Sequence, residues 1–226
     1  MANRRVDSVG GGPGPGKRPV GFARRLAGAS IGTVDGALTP STPWSTNPPV
    51  TNIASLSELE QSIRNVPDFP KPGIQFKDIT PVLADGRLFD SAIRHLLEGI
   101  PAGSVDKIVG IDARGFIFGA AVAHRLGAGF VPVRKKGKLP WQTHEQSYEL
   151  EYGSSTVAVH TDAVAPGERI LLVDDLLATG GTAAAALQLL SRLGARVVGV
   201  RFVIELAFLD GRGRLGDFEV RSLITY

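Results

Sequence analysis

Two acids and a loop of glycine and threonine stand together in this chain and could bind a sugar phosphate. Asp174 and Asp175 follow the apolar run 170–173, and the loop 178–182 (Ala-Thr-Gly-Gly-Thr) comes directly before an alanine- and leucine-rich segment. This order predicts a strand, a tight turn and a helix, whose amide groups would converge on an anion. Because carboxylates repel a phosphate, we expect the two acids to meet hydroxyls or a metal on the sugar side of the same ligand. A ribose 5-phosphate satisfies both halves.

Other phosphate-binding motifs do not fit this stretch. No lysine follows the glycines as in a Walker loop, and the spacing Gly-x-Gly-x-x-Gly of dinucleotide sites does not occur there. The residues alone also allow an ordinary strand-to-helix turn, capped by Thr179 or Thr182, with Asp174 and Asp175 as solvated loop acids.

The elements around this loop alternate between strand and helix. Ser57 and Glu60 form a capping-box pattern, which predicts a helix that ends before Pro67. A short segment at 74–79 follows, and we predict helices at 88–98 and 115–126, with strands at 107–111, 130–133, 170–173, 197–204 and 219–225. Runs at 148–152 and 156–160 around Gly153 predict a hairpin, after an irregular stretch at 134–145. The pattern predicts an α/β fold, with a mainly parallel central sheet flanked by helices and ligands at the carboxyl ends of its strands.

The acid pair and its loop resemble the 5-phosphoribosyl-1-pyrophosphate (PRPP) motif of the type I phosphoribosyltransferase family. Four further stretches resemble the members of that family that use adenine: 69–73 (FPKPG), 110–119 (GIDARGFIFG), 134–140 (RKKGKLP) and 147–153 (SYELEYG). The likeness runs from about Leu56 to Tyr226. It implies the type I phosphoribosyltransferase fold, with a flexible β-hairpin hood over residues 134–156.

The resemblance implies transfer of the 5-phosphoribosyl group from PRPP to adenine, giving AMP and pyrophosphate. Glu151 matches the family's catalytic glutamate, and Arg114 is expected to hold pyrophosphate through its planar guanidinium. Asp174 and Asp175 should contact the ribose hydroxyls. The expected phosphate-binding residues are Ala178, Thr179, Gly180, Gly181, Thr182, Arg134, Lys135 and Lys138.

For the base, Phe76 matches the aromatic residue that stacks on adenine, and the backbone of Gln75 and Lys77 matches the segment that reads its edge. The chain is expected to supply no metal site of its own, since Mg²⁺ arrives with PRPP. The resemblance also implies a homodimer, with Arg134 acting across the interface. Trp141 and His144 match no pattern.

Composition separates the chain into two parts. Residues 1–55 hold six Lys/Arg and two Asp/Glu and are rich in Gly and Pro, whereas the remainder of the 226 residues holds 19 and 20. The basicity (net charge +3) therefore belongs to an N-terminal extension predicted to be disordered, and residues 56–226 form the phosphoribosyltransferase domain. With no cysteine and no long apolar span, we expect a cytoplasmic enzyme that binds neither nucleic acid nor membrane.

Two other functions remain open at this level. One is a phosphoribosyltransferase for another purine base, such as hypoxanthine or guanine. The other is a regulator that keeps the PRPP pocket as a sensor and binds DNA. Such a regulator needs a winged-helix or similar segment, and residues 1–55 show no helix-turn-helix pattern.

Overall fold

The computed structural model describes residues 52–149 and 153–226. Five helices occur in this part of the chain: α1 (Leu56–Ser62), α2 (Thr80–Ala84), α3 (Gly86–Leu96), α4 (Gly115–Leu126) and α5 (Gly181–Arg192). The strands are β1 (Arg64–Pro67), β2 (Gln75–Asp78), β3 (Lys107–Ile111), β4 (Gly129–Lys135), β5 (Thr143–Glu149), β6 (Ser154–His160), β7 (Arg169–Leu177), β8 (Arg196–Glu205) and β9 (Val220–Thr225). Two short 3-10 helices, Ala207–Leu209 and Gly211–Leu215, lie between β8 and β9.

Seven strands form one sheet in the order β5-β6-β4-β3-β7-β8-β9, and β1 and β2 form a separate hairpin. The neighbours in the run β4-β3-β7-β8-β9 pair in parallel, while β6 runs antiparallel to β4 and β5. Two apolar cores cover the sheet, one packed under α5 and the other under α1 to α4. The predicted α/β fold with an antiparallel insert is thereby confirmed.

The first helix differs from its prediction. Its capping box is formed by Ser55 and Glu58 rather than by Ser57 and Glu60: the Glu58 carboxylate accepts from the Ser55 amide at 2.8 Å, and the Ser55 hydroxyl accepts from the Glu58 amide at 3.2 Å. The helix ends at Ser62, because residues 64–67 pair with β2. Tertiary pairing therefore overrides the helical spacing that extended towards Pro67.

The hairpin of β5 and β6 also differs from its prediction. β4 extends to Lys135 and β5 begins at Thr143, so part of the stretch predicted to be irregular is strand. The reason is β6, which pairs with both neighbours and satisfies the backbone of a polar segment that carries no apolar alternation. Residues 150–152, which include Glu151, lie outside the described residues.

Strand β7 continues through the acid pair. The apolar run predicts an end at Val173, but the strand reaches Leu177 because β8 lies beside it as far as Glu205. Asp174 and Asp175 are consequently buried, with 9% and 6% of their surface exposed. The alternative of solvated loop acids is wrong.

Candidate active site

The loop 178–182 forms the turn between β7 and α5. Gly180 caps the helix with a φ of 77°, a conformation that residues with a side chain rarely adopt. The loop encloses a small pocket of about 80 Å³ together with Asp174 and Leu176. Because the first amide groups of a helix have no partner within it, this pocket suits an anion.

Tyr148, on β5, contacts this loop. The Thr182 hydroxyl donates to the Tyr148 hydroxyl at 2.9 Å, and the Tyr148 ring lies against Gly181. Strand β5 therefore covers the start of α5.

Asp174 of the acid pair lines this pocket, and Asp175 follows it on β7. The Asp174 carboxylate accepts from the Asp175 amide at 2.9 Å, and the Asp175 carboxylate pairs with Arg114 Nε at 2.9 Å. Burial raises the pKa of Asp174 well above its ordinary range, and the nearby Asp175 charge raises this pKa further. Burial also raises the pKa of Asp175, while the Arg114 guanidinium opposes that rise.

Helix α4 begins where Asp174 is packed. A Cβ on Gly115, the first residue of α4, would overlap the Asp174 carboxylate. Gly115 is thus required by the Asp174 carboxylate packed against it, and Arg114 stands at the turn between β3 and α4.

We expect Asp174→Asn to raise the stability of the folded chain. A carboxyl group whose pKa is raised on folding holds a proton that the unfolded chain releases, so stability falls as pH rises from the ordinary pKa of about 3.8 towards the raised value. Asparagine keeps the acceptor oxygen without the charge. The free energy of unfolding at pH 8 should therefore rise by about 1–2 kcal/mol.

Urea unfolding at pH 5 and pH 8 measures this effect. The exposed Asp162→Asn serves as the control and should leave the pH dependence unchanged. An Asp174→Asn variant that loses as much stability as the wild type between the two pH values would contradict the assignment.

A larger apolar pocket of about 480 Å³ lies beside the acid pair. The Phe69 and Phe76 rings meet edge to face at 5.1 Å, and Arg114 Cζ lies 5.4 Å from the Phe76 ring centre. The pocket is lined by Val66, Phe69, Phe76, Asp78, Ile79, Thr80, Leu83, Arg114 and Ile117. An aromatic wall with a few polar groups suits a planar heterocycle.

The residues expected to bind the base lie on β2 but face different ways. Phe76 lines the pocket, whereas Lys77 Nζ lies 3.3 Å from the centre of the Tyr226 ring and Gln75 is exposed. Neither Gln75 nor Lys77 has a side chain in the pocket lining.

Asp78 and Thr80 were not anticipated from the sequence. Asp78 accepts from the Thr80 amide at 2.9 Å and from the Thr80 hydroxyl at 2.8 Å, and these bonds hold the pKa of Asp78 below its ordinary value. The signal was present as Asp-Ile-Thr-Pro, because an acid two residues before a threonine and proline marks a helix start.

The basic run lies at the end of β4. Arg134 Nε pairs with the Asp112 carboxylate at 3.0 Å, and its Nη1 donates to the Lys138 carbonyl at 3.0 Å. Lys135 and Lys138 are exposed at either end of a turn that the Lys138 amide closes on the Lys135 carbonyl. Because Asp112 follows β3, the pair joins this turn to the loop that carries Arg114.

Arg114 lies between the acid pair and the apolar pocket. Its guanidinium pairs with Asp175 on one side and borders the Phe76 pocket on the other. This geometry suits transfer of a sugar phosphate to a flat base.

Comparison with known proteins agrees with this geometry. The family model for the phosphoribosyl transferase domain matches residues 82–214. The adenine phosphoribosyltransferase of Acidothermus cellulolyticus is 57% identical over 172 residues, covering 76% of this chain and 97% of the relative.

Solved structures of adenine phosphoribosyltransferases also resemble this chain. The adenine phosphoribosyltransferase of Rhodothermus marinus superposes with a TM-score of 0.74 at 54% identity, covering 77% of this chain and all of that one. The Saccharomyces cerevisiae structure, solved with an imino-altritol bisphosphate and adenine, has a TM-score of 0.71 at 42% identity and covers 74% of this chain and 97% of that one.

The fold and the site thus define a type I phosphoribosyltransferase. At this level of identity, and with nearly the whole length of its relatives matched, the chain belongs to the adenine phosphoribosyltransferase family. Within the described residues, no helix combines the length and apolar character needed to cross a membrane.

Proposed function

We propose that this chain transfers the 5-phosphoribosyl group from PRPP to adenine, giving AMP and pyrophosphate. The observation that carries the proposal is Arg114, which contacts the acid pair beside the phosphate loop and also lines the apolar pocket. The relatives named as adenine phosphoribosyltransferases support adenine as the base.

The phosphate loop and the acid pair would hold the ribose 5-phosphate. Amides of residues 178–182 bind the 5-phosphate, with Thr179 and Thr182 as hydroxyl donors. The Asp174 and Asp175 side chains would hydrogen-bond to the two ribose hydroxyls, with Asp175 oriented by its pair with Arg114.

Bond exchange takes place at ribose C1. The C1–O bond to pyrophosphate breaks as an adenine nitrogen forms its bond to C1, and positive charge develops on the ribose ring. Arg114 stabilises the departing pyrophosphate, with Lys135 and Lys138 as further cations from the exposed turn. Phe76 stacks on the base, whose edge meets the backbone of Gln75 and Lys77.

Adenine must lose a ring proton during the reaction, and Glu151 is proposed to receive it. Closure of residues 134–156 over both substrates would exclude water, which competes with adenine for the cationic ribose.

Magnesium fits this site as part of the substrate. Within residues 52–149 and 153–226, no cluster of three or more acidic, histidine or cysteine side chains could hold a metal ion. Mg²⁺ prefers substrate phosphates and water, with one or two carboxylates, and Asp174 lines the pocket with Asp175 next to it in the chain. When bound with PRPP, it would neutralise charge on the leaving pyrophosphate.

Three further properties belong to the proposal: a homodimer, a cytoplasmic location, and a phosphoribosyltransferase domain of residues 56–226 preceded by an N-terminal extension. In the described chain Arg134 is held by Asp112 of the same protomer. We propose that Arg134 acts across the dimer interface from this same position at the end of β4. Sedimentation of the full chain tests the dimer.

A pyrophosphate-release assay with PRPP and Mg²⁺ tests the function. Adenine, hypoxanthine, guanine and orotate are supplied separately, and we expect turnover with adenine. Glu151→Ala should lower kcat about 100-fold with adenine. Glu149→Ala, an exposed acid on β5 paired opposite Ser154, is the matched control and should stay within about twofold of wild type.

Each outcome separates one part of the proposal. Turnover with another purine would keep the fold and overturn the base assignment. Binding of PRPP without turnover of any base would favour a regulator. Full activity of Glu151→Ala would remove Glu151 from the mechanism and leave the reaction in place.

A further inference from the structure

The phosphate loop rests on a glycine that comes after β8, well beyond the loop in the chain. A Cβ on Gly211 would overlap the Ala178 carbonyl oxygen and lie 2.9 Å from the Gly180 amide nitrogen. A Cβ on Gly180 would overlap the Gly211 carbonyl oxygen in return. The two backbones are therefore packed directly against each other, with no room for a methyl group between them.

Gly211 begins a 3-10 helix that Arg212 fixes to the end of the sheet. Arg212 Nε donates to Glu205 Oε1 at 3.0 Å, its Nη2 donates to Glu205 Oε2, and its Nη1 donates to the Val220 carbonyl at 2.7 Å. Two parallel hydrogen bonds to one carboxylate, here called the fork, fix the orientation of a guanidinium, whereas a single hydrogen bond does not. The backbone of Gly211, next in the chain, is thereby held in place.

Glu205, which accepts the hydrogen bonds of this fork, is held in place as well. The Glu205 side chain is 7% exposed and accepts a third bond from the Ser222 hydroxyl at 2.6 Å. Hydrogen bonds from Arg212 and Ser222 lower the pKa of Glu205, so this buried acid remains charged. Glu205 is also paired in register with Leu177, the last residue of β7 and the residue before the phosphate loop.

The phosphate loop is thus held from both sides. Its start is fixed by β7, which pairs with the strand that carries Glu205, and its outer backbone is fixed by Gly211. Leu215, at the other end of the 3-10 helix, is buried in the core under α5. The 3-10 helix that supports the loop is therefore anchored to the sheet through Arg212 and to the core under α5 through Leu215.

We propose that Gly211, held by the Arg212–Glu205 fork, is a positioning residue for the phosphate loop and sets the affinity for the 5-phosphate of PRPP and AMP. Amides that bind an anion must lie within a fraction of an ångström of their productive positions. A methyl group at residue 211 would displace the Ala178 carbonyl and the Gly180 amide. The inference rests on the proposed phosphate-binding role of residues 178–182.

The test compares two glycines of the same 3-10 helix. Gly211→Ala should raise both KM for PRPP and Kd for AMP about tenfold or more, while KM for adenine at saturating PRPP changes less than about twofold. Gly213→Ala is the matched control, because the nearest atoms to its Cβ would be those of the Asp210 carboxylate, at 3.3 Å and beyond, and it should change none of these constants by more than about twofold.

Arg212→Lys provides a second variant that keeps the charge but removes the fork, and it decides the question if Gly211→Ala does not fold. Its KM for PRPP should rise about threefold to tenfold with the constant for adenine unchanged. A purely structural role would weaken adenine and PRPP alike, or would lower the melting temperature without separating the two constants. Either pattern would overturn the proposal, as would a folded Gly211→Ala variant with unchanged affinity for AMP.

Thr179→Ala separates this inference from the proposed function. If neither Thr179→Ala nor Gly211→Ala changes the Kd for AMP, the proposed phosphate-binding role of the loop is wrong, and the inference about Gly211 is wrong with it. If Thr179→Ala weakens AMP and Gly211→Ala does not, only the positioning role of Gly211 is wrong.

Discussion

Replacing Arg114 by methionine should lower kcat/KM for PRPP about 1,000-fold. The side chain pairs with Asp175, borders the base pocket at 5.4 Å from the Phe76 ring centre, and is proposed to hold pyrophosphate. Methionine retains much of the apolar length but none of the charge. Lysine at this position restores the charge without the planar fork and should recover part of the lost rate.

The same substitution should also reduce stability. It leaves Asp175, whose side chain is 8% exposed, without its cation, so the pKa of Asp175 should rise further and the free energy of unfolding should fall. Because Arg114 itself is 38% exposed, solvent screens the pair, and we expect a loss of about 1–2 kcal/mol, below that of a fully buried pair.

Arg125→Met is the matched control for Arg114→Met. Arg125 lies near the end of α4, the helix that Arg114 precedes; it is 37% exposed and pairs with Asp90 of α3 at 2.6 Å. We expect it to leave steady-state kinetics within about twofold of wild type. The double variant Arg114→Met/Asp175→Asn should regain stability without regaining activity. A single Arg114→Met variant with normal kcat/KM would remove Arg114 from the proposed mechanism.

The second large effect is expected for Gly180→Ala. A φ of 77° is strained for alanine, and the new Cβ would overlap the Gly211 carbonyl, so the loop must move away from its support. We expect kcat/KM for PRPP to fall about 1,000-fold, because displaced amides lose both the anion and its orientation. Steady-state kinetics and calorimetric titration with AMP measure this loss.

Gly167→Ala distinguishes crowding from backbone strain. Gly167 has a φ of 84°, and a Cβ added there would meet no atom within 4 Å, so alanine has the same strain without the overlap. It should cost about 1 kcal/mol of stability and leave KM for PRPP unchanged. Equal kinetic effects of Gly167→Ala and Gly180→Ala would show that overlap with Gly211 does not matter.

Local sequence determined the elements whose signals lie within them. The strand at 107–111 and the helix at 115–126 have the predicted bounds. An apolar run predicts the strand and a helical spacing bounded by glycines predicts the helix, and neither signal depends on a distant segment of the chain. The phosphate loop was predicted from its two glycines and the acids before it, and the structure places Asp174 in the lining of that pocket. Glu151 stays a prediction, because it lies outside the described residues.

Tertiary pairing decided what local signals could not. The first helix ends at Ser62 because residues 64–67 pair with β2, and β7 passes through Asp174 because β8 lies beside it. The polar strand β5 exists only because β6 satisfies its backbone. In each case hydrogen bonds to a distant segment outweigh the local preference.

The sequence by itself determined which chemistry the chain carries: two acids, a phosphate loop, an arginine at a strand end and an aromatic base site, since these groups are recognised by residue type and spacing. Only the tertiary structure decided which of them meet. The Arg114–Asp175 pair, the Phe69–Phe76 wall and the contact between Gly180 and Gly211 join residues that the chain itself keeps apart. The physical reason is that burial and contact arise when the sheet assembles, so the raised pKa of Asp174 and the support of the phosphate loop are properties of the folded chain.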